Sequence, residues 1–232
     1  FNDMVDTLEE RINREARFAS DVSHELRTPV AAIRAAANVV RRRLRSPDEA
    51  VAALDILESK IDGFNGLVTD LLEMSRLDAG VARLEREPVD LERFARSVLG
   101  GGRANVPLGL DPTAPPRAAL DSRRLGQMLT NLLENAEKYG GGATALVVSG
   151  GPGVIRFAVE DRGPGIPEHE RHHIFERFVR GESSAQPGSK DGTGLGLSLV
   201  AEHARLHGGR VWVEDRAGGG SRFVIELPAH DI

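Results

Sequence analysis

Cysteine is absent from the 232 residues, which excludes a disulfide framework and any thiolate metal site and suits a reducing compartment. Aromatic residues make up only 4%, so a core has to be assembled from Leu, Val, Ile and Ala. No stretch approaches the roughly 18 apolar residues of a membrane-spanning helix, and no basic-then-apolar leader opens the chain. A strong charge of one sign is missing too. The formal net charge of -5 gives no electrostatic reason to expect a nucleic-acid partner, and no basic block suggests membrane docking. What is present, 40% hydrophobic and 28% charged residues, is globular composition over a length comfortable for two domains.

The texture changes once along the chain. Up to about residue 78 two long helical patterns dominate. Leu8, Ile12, Ala19, Val22, Leu26, Val30, Ile33, Ala37, Val40 and Leu44 form one apolar stripe, and Leu54, Leu57, Ile61, Phe64, Val68 and Leu71 form a second. Ser46-Pro47-Asp48-Glu49 between them predicts a helix start with Ser46 as cap, Pro47 in the first turn and Glu49 closing a capping box. Two antiparallel helices with one stripe each cannot enclose a large core. Pairing with a second copy into a four-helix bundle is the economical solution, and packing on the rest of the chain is the alternative.

After Asp78-Ala79-Gly80 the pattern becomes α/β. A short helix is expected from Leu91, a strand within Asn105–Leu110, and a helix from Asp121 to Tyr139. Further strands are expected at Thr144–Val148, Val154–Glu160, Arg210–Glu214 and Arg222–Leu227, and a helix at Leu195–Leu206. These elements predict a single mixed sheet with helices on one face. Residues 181–193, polar and glycine-rich, read as a mobile loop.

His24 lies between Val22 and Leu26 of the first stripe. At about 100° per residue it points away from their mean direction, into a polar side shared with Asp21, Glu25 and Thr28. An exposed imidazole beside a carboxylate can serve as a nucleophile. An incidental surface histidine reads the same way on these residues alone. Pro29 in mid-helix is the oddity, since it costs stability.

Further along, Asn131 and Asn135 share a helix face with Lys138 close by. Asn oxygens are hard, neutral ligands suited to a Mg²⁺ already held by phosphates. Asp161-Arg162-Gly163-Pro164-Gly165 follows a predicted strand, and Gly192-Thr193-Gly194-Leu195-Gly196 opens a predicted helix, where backbone amides favour an anion. No Gly-Lys-Thr or Gly-Lys-Ser follows, so this is no Walker A loop, and a dinucleotide fingerprint fits poorly.

Phe18 to Pro29, ending His24-Glu25-Leu26-Arg27-Thr28-Pro29, resembles the H-box of sensor histidine kinases. Asn131 to Tyr139 resembles the N-box, Asp161 to Gly165 the G1 box, Phe175-Glu176-Arg177-Phe178 the F-box and Gly192 to Gly196 the G2 box. The last four together resemble the Bergerat nucleotide fold of histidine kinases, gyrase-type topoisomerases and ninety-kilodalton chaperones. The resemblance implies a dimeric all-α hairpin bundle followed by an α/β-sandwich ATP-binding domain. It divides the chain into the end of a signalling helix (1–16, similar to a HAMP helix in Phe1-Asn2-Asp3-Met4), a dimerisation and phosphotransfer domain (17–79), a hinge linker (80–90) and a catalytic domain (91–232). By the same resemblance His24 is the autophosphorylated residue, Glu25 assists proton removal, and Thr28 acts in dephosphorylating the partner. Asp161 accepts from the adenine amino group, Asn135 binds Mg²⁺, and Asn131 lies beside the phosphates. Lys138, Tyr139 and Arg177 contact ATP, residues 176–193 form a lid, and Gly163, Gly165, Gly192, Thr193, Gly194, Leu195 and Gly196 surround the nucleotide.

The implied partners are a second copy of the chain and the receiver domain of a response regulator, with no direct nucleic-acid contact. The fragment is expected in the cytoplasm, reaching a bacterial cell membrane only through upstream segments of a longer parent. Gly140-Gly141-Gly142 stands where the family commonly has Ser or Thr, which predicts a looser loop. Two rivals remain: an ATPase of the gyrase or chaperone type, against which the H-box string argues, and a non-catalytic dimeric scaffold, which predicts no phosphate on the protein.

Overall fold

The computed structural model describes residues 47–100, 102–179 and 194–229, and before them only Leu26, Val30, Ala31, Ile33, Arg34, Ala35, Ala37 and Asn38, all helical. The predicted cap Ser46 lies outside the described residues. Two compact units divide between Ser75 and Arg76. The described residues of the first are helical. Its long helix α1, Pro47–Asp78, starts with Pro47 in its first turn, as predicted, and runs into the second unit. Its stripe is only partly covered: Leu57, Phe64 and Val68 are half-buried, while Leu54 and Ile61 are exposed.

The second unit begins with the last turn of α1, which stops where Gly80 takes the left-handed conformation (φ +66°). β1 (Glu87–Asp90) follows, then α2 (Leu91–Leu99), β2 (Leu108–Leu110), β3 (Arg117–Leu120) and α3 (Ser122–Tyr139). Completing it are β4 (Ala143–Gly151), β5 (Val154–Asp161), α4 (Gly196–Leu206), β6 (Arg210–Asp215) and β7 (Ser221–Pro228). β2, β4, β5, β7 and β6 form a five-stranded sheet in that order, with only β2–β4 parallel. The expected single sheet needs correcting. β1 and β3 pair antiparallel in a separate two-stranded sheet, which claims four residues of the expected linker.

One face of the large sheet carries the core. Ile155, Phe157 and Val159 of β5 and Phe223, Ile225 and Leu227 of β7 alternate inward. They meet Leu125, Met128, Leu129, Leu132, Leu133 and Ala136, whose spacing of three and four makes one buried stripe on α3. The opposite face carries a charge ladder. Glu226 accepts from Arg156 (2.7 Å) and Arg210 (2.8 Å), and Glu160 accepts from Arg222 (3.0 Å) and Arg216 (3.2 Å). Arg210 also stacks over Trp212, 5.0 Å from the ring centroid.

Asp121 anchors α3 and ties the segment after α1 to it. Its carboxylate accepts from the Arg124 N–H (3.0 Å) as N-cap and from the Glu85 N–H (3.2 Å), and it pairs with the Arg124 guanidinium (3.2 Å). Burial pushes this carboxyl's pKa up, but those two N–H groups and the Arg124 and Arg123 charges outweigh it, leaving it below the ordinary value. A depressed carboxyl stabilises the fold above the unfolded-state value and loses that contribution as pH falls through the folded one. Asp121→Ala is therefore expected to cost about 3 kcal/mol near neutrality, with the deficit shrinking below about pH 4. Urea unfolding at about pH 7 and about pH 3 checks this. An equal deficit at both would show that the carboxylate charge is not the source.

Candidate active site

The site is built where α3 ends against β5. Asp161, the last residue of β5, is buried, and its Oδ1 accepts two backbone N–H groups, from Gly163 (2.8 Å) and Ser221 (3.0 Å). Its Oδ2 has no hydrogen-bond partner among the described residues. One carboxylate oxygen is thus fixed by the backbone and the other remains as an acceptor for a ligand.

Glycines surround this carboxylate because nothing larger fits. A Cβ on Gly140 would stand 2.4 Å from the Cβ of Asp161, and one on Gly163 would stand 2.9 Å from the Cα of Gly140. A Cβ on Gly220 would come within 2.2 Å of the Asp161 carbonyl oxygen. The loop after α3 is therefore not the loose element expected from Gly140-Gly141-Gly142. Gly140 is buried, and the N–H groups of Gly140 and Gly142 both donate to the Ala136 carbonyl (2.8 and 2.9 Å).

At the other end, Asn131 donates from Nδ2 to the Gly196 carbonyl (3.1 Å), bringing the middle of α3 to the start of α4. The N-cap of α4, Leu195, has no side-chain group to cap the helix, and the start of a helix is where backbone N–H groups favour an anion. Asn135 sits one turn along α3, half-buried, with no side-chain hydrogen bond among the described residues. From Asn131 to Gly140 the helix rises about 13 Å, the order of length that separates the base of a nucleoside triphosphate from its terminal phosphate. Asp161 thus stands at one end of that span, and Asn131, Asn135 and the α4 start at the other. The described residues contain no cluster of three acidic or histidine side chains for a metal ion. A Mg²⁺ here would take Asn135 together with phosphate oxygens, which suits a hard cation that keeps much of its shell.

Residues 120–231 match the family model of the histidine kinase-, DNA gyrase B- and HSP90-like ATPase, and residues 14–80 match that of the His Kinase A (phospho-acceptor) domain. The signal transduction histidine-protein kinase AfsQ2 of Streptomyces coelicolor is 36% identical over 246 residues, 98% of this chain and 46% of its own length. The structure of the mycobacterial sensor histidine kinase MprB matches at 32% identity and a TM-score of 0.50, covering 63% of this chain and 99% of that one. The chain belongs to the sensor histidine kinase family. Full-length ShkA in complex with AMPPNP, a further solved member, aligns over 94% of this chain and 46% of its own, at 30% identity and a TM-score of 0.65. The chain spans a little under half the length of the curated histidine kinases it matches.

Within this histidine kinase fold, Asp161 and Gly163 are joined by a hydrogen bond at the end of β5, and Asn131 and Gly196 by another at the start of α4, with Asn135 one turn along α3 and Gly194 and Leu195 just before Gly196. Gly165 (φ +82°) lies in the loop after Asp161. Tyr139 ends α3 beside Gly140. Lys138 is paired with Glu134 (3.2 Å), and Arg177 holds Asp78 through both terminal nitrogens (2.6 and 2.7 Å). His24, Glu25 and Thr28 of the kinase H-box, and Gly192 and Thr193 of the G2 box, lie outside the described residues. Sequence reading did not single out Ser221, which gives Asp161 an N–H, nor Gly220 before it. The only signal was the run Gly218-Gly219-Gly220, which looks like any tight turn.

Proposed function

We propose that the chain transfers the γ-phosphoryl group of ATP to its own His24, then passes it to an aspartate on the receiver domain of a response regulator. The reading is carried by the Asp161 carboxylate, held by two backbone N–H groups with its second oxygen left for a ligand, in a chain that also bears the H-box string. In the first step a ring nitrogen of His24 attacks the γ-phosphorus. The N–P bond forms, the bond to the β–γ bridging oxygen breaks, ADP leaves, and the Glu25 carboxylate takes the ring proton. In the second, a receiver carboxylate oxygen attacks phosphorus and the N–P bond breaks, leaving the ring nitrogen to recover its proton. Thr28 serves the reverse duty, dephosphorylation of the receiver.

Asp161 orients the base and Asn131 orders the α4 start beside the phosphates. Asn135 would hold Mg²⁺, which would supply positive charge to offset that on the phosphoryl oxygens. Lys138, Tyr139 and the remaining glycines of the G1 and G2 boxes, with Thr193, line the nucleotide. The acting form is a homodimer, supported by the exposed Leu54 and Ile61 on the α1 stripe. No helix among the described residues is long and apolar enough to cross a membrane. We place the chain on the cytoplasmic side of a membrane-anchored parent.

Incubation with γ-labelled ATP and Mg²⁺ tests the reading. Acid-labile, base-stable label on the protein is the expected result, and its absence would reject kinase activity in favour of an ATPase or scaffold. Asn135→Ala is expected to lower the labelling rate by about 100-fold and to raise the Mg²⁺ requirement. Labelling with an unchanged Mg²⁺ dependence would remove Asn135 from the metal site.

A further inference from the structure

We infer that Asp78 and Arg177 are a positioning pair for phosphoryl transfer, through which the last residue of α1 sets where Gly194 to Gly196 lie beside the phosphates. The inference rests on the kinase function proposed for the chain and gives Arg177 a different part in it from direct nucleotide contact. Nη1 and Nη2 of Arg177 donate to Oδ2 and Oδ1 of Asp78 at 2.7 and 2.6 Å, a fork-on-fork contact, and Glu202 of α4 stands 4.0 Å away. The bond to Asp78 is the main reason the guanidinium's pKa is raised. Asp78 is half-exposed, so the pair adds little to stability. Its two parallel bonds instead fix direction, which a planar guanidinium does better than any other side chain.

The direction matters because of the neighbouring residue. Phe178 has φ +60°, alone among the described non-glycine residues in being positive. That conformation is disfavoured and persists only where neighbours impose it. They do so here. The Phe178 N–H donates to the Gly194 carbonyl (3.0 Å), and Gly194 sits so close that a Cβ on it would lie 2.8 Å from the Phe178 Cα. Two residues beyond, the Gly196 carbonyl takes the Asn131 amide. Asp78, Arg177, Phe178, Gly194, Gly196 and Asn131 thus form one run of contacts from the end of α1 to the phosphate end of the site. The base end is held by a different set of contacts, Asp161 with the N–H groups of Gly163 and Ser221 and with Gly140 packed against it.

Losing the pair should therefore misplace the phosphates while sparing recognition of the base. With the full chain, Asp78→Asn is expected to slow γ-phosphate labelling by about tenfold while ATP–Mg affinity stays within about threefold. Asp78→Glu should recover part of the rate. Exchanging the charges (Asp78→Arg with Arg177→Asp) should recover more than the two single effects predict, as a double-mutant cycle reads out. Labelling of Asp78→Asn at the parent rate overturns the inference, as does an affinity loss as large as the rate loss, which marks Arg177's surroundings as a nucleotide contact. A parent chain that takes up no label overturns the kinase reading and the pair's role with it.

Discussion

Replacing His24 with alanine is expected to abolish phosphate incorporation while leaving ATP–Mg affinity within about twofold of the parent. The size of the effect follows from the role: with the attacking nitrogen gone, no other group completes the N–P bond, and orientation by the remaining site has nothing to orient. Affinity is spared because every described residue gathered around the proposed nucleotide belongs to the unit after Ser75. Labelling by γ-labelled ATP, read beside equilibrium binding of a fluorescent ATP analogue, checks both halves. Residual acid-labile label on the alanine variant would move the acceptor to another residue. A collapse of nucleotide affinity would show that position 24 shapes the nucleotide site itself.

Asp161→Asn is expected to lower ATP affinity by about 100-fold or more while the fold survives. The amide oxygen of the asparagine keeps the N–H groups of Gly163 and Ser221, which now donate to Oδ1, so the turn they hold remains satisfied. The amide nitrogen then replaces Oδ2 and points a donor at the purine's amino group, also a donor. A buried donor facing a donor loses the bond and the desolvation of both, about 3 kcal/mol or more. Asp161→Ala should also lower the unfolding midpoint, since it orphans the two N–H groups. Calorimetric binding of an ATP analogue with thermal unfolding separates the two variants. Unchanged affinity in Asp161→Asn would place the base elsewhere.

The parts legible in the sequence are those set by local rules. The helix from Asp121 to Tyr139, Pro47 in the first turn of α1 and the strands β5 and β7 all follow from local residue patterns, and all form. β1 and β3 were not legible. Each has four residues, one carries Pro88, the other is Arg117-Ala118-Ala119-Leu120, and neither shows alternation strong enough to name a strand. They exist because each supplies the other's hydrogen bonds. The candidate site divides in the same way. Asp161, Asn131 and the glycines carry recognisable spacing, whereas the Ser221 N–H lies 60 residues from Asp161 and Arg177 lies 99 from Asp78. Contacts that chain folding alone brings together leave no periodic trace.

The charge ladder on the face of the sheet away from α3 has a consequence for folding accuracy. β5 and β7 present apolar residues inward at every second position, so sliding one strand by a single residue would turn that face outward and is excluded. Sliding by two would keep apolar residues inside and go undetected by the core. On the other face it would not, because Arg156 pairs with Glu226 and Glu160 with Arg222 only in the native alignment. A two-residue slip either way sets Arg156 opposite Val224 or Pro228 and Glu160 opposite Gly220 or Val224. These ion pairs thus act as a vernier for strand alignment, rejecting the one class of misfolded pairing that hydrophobicity would accept.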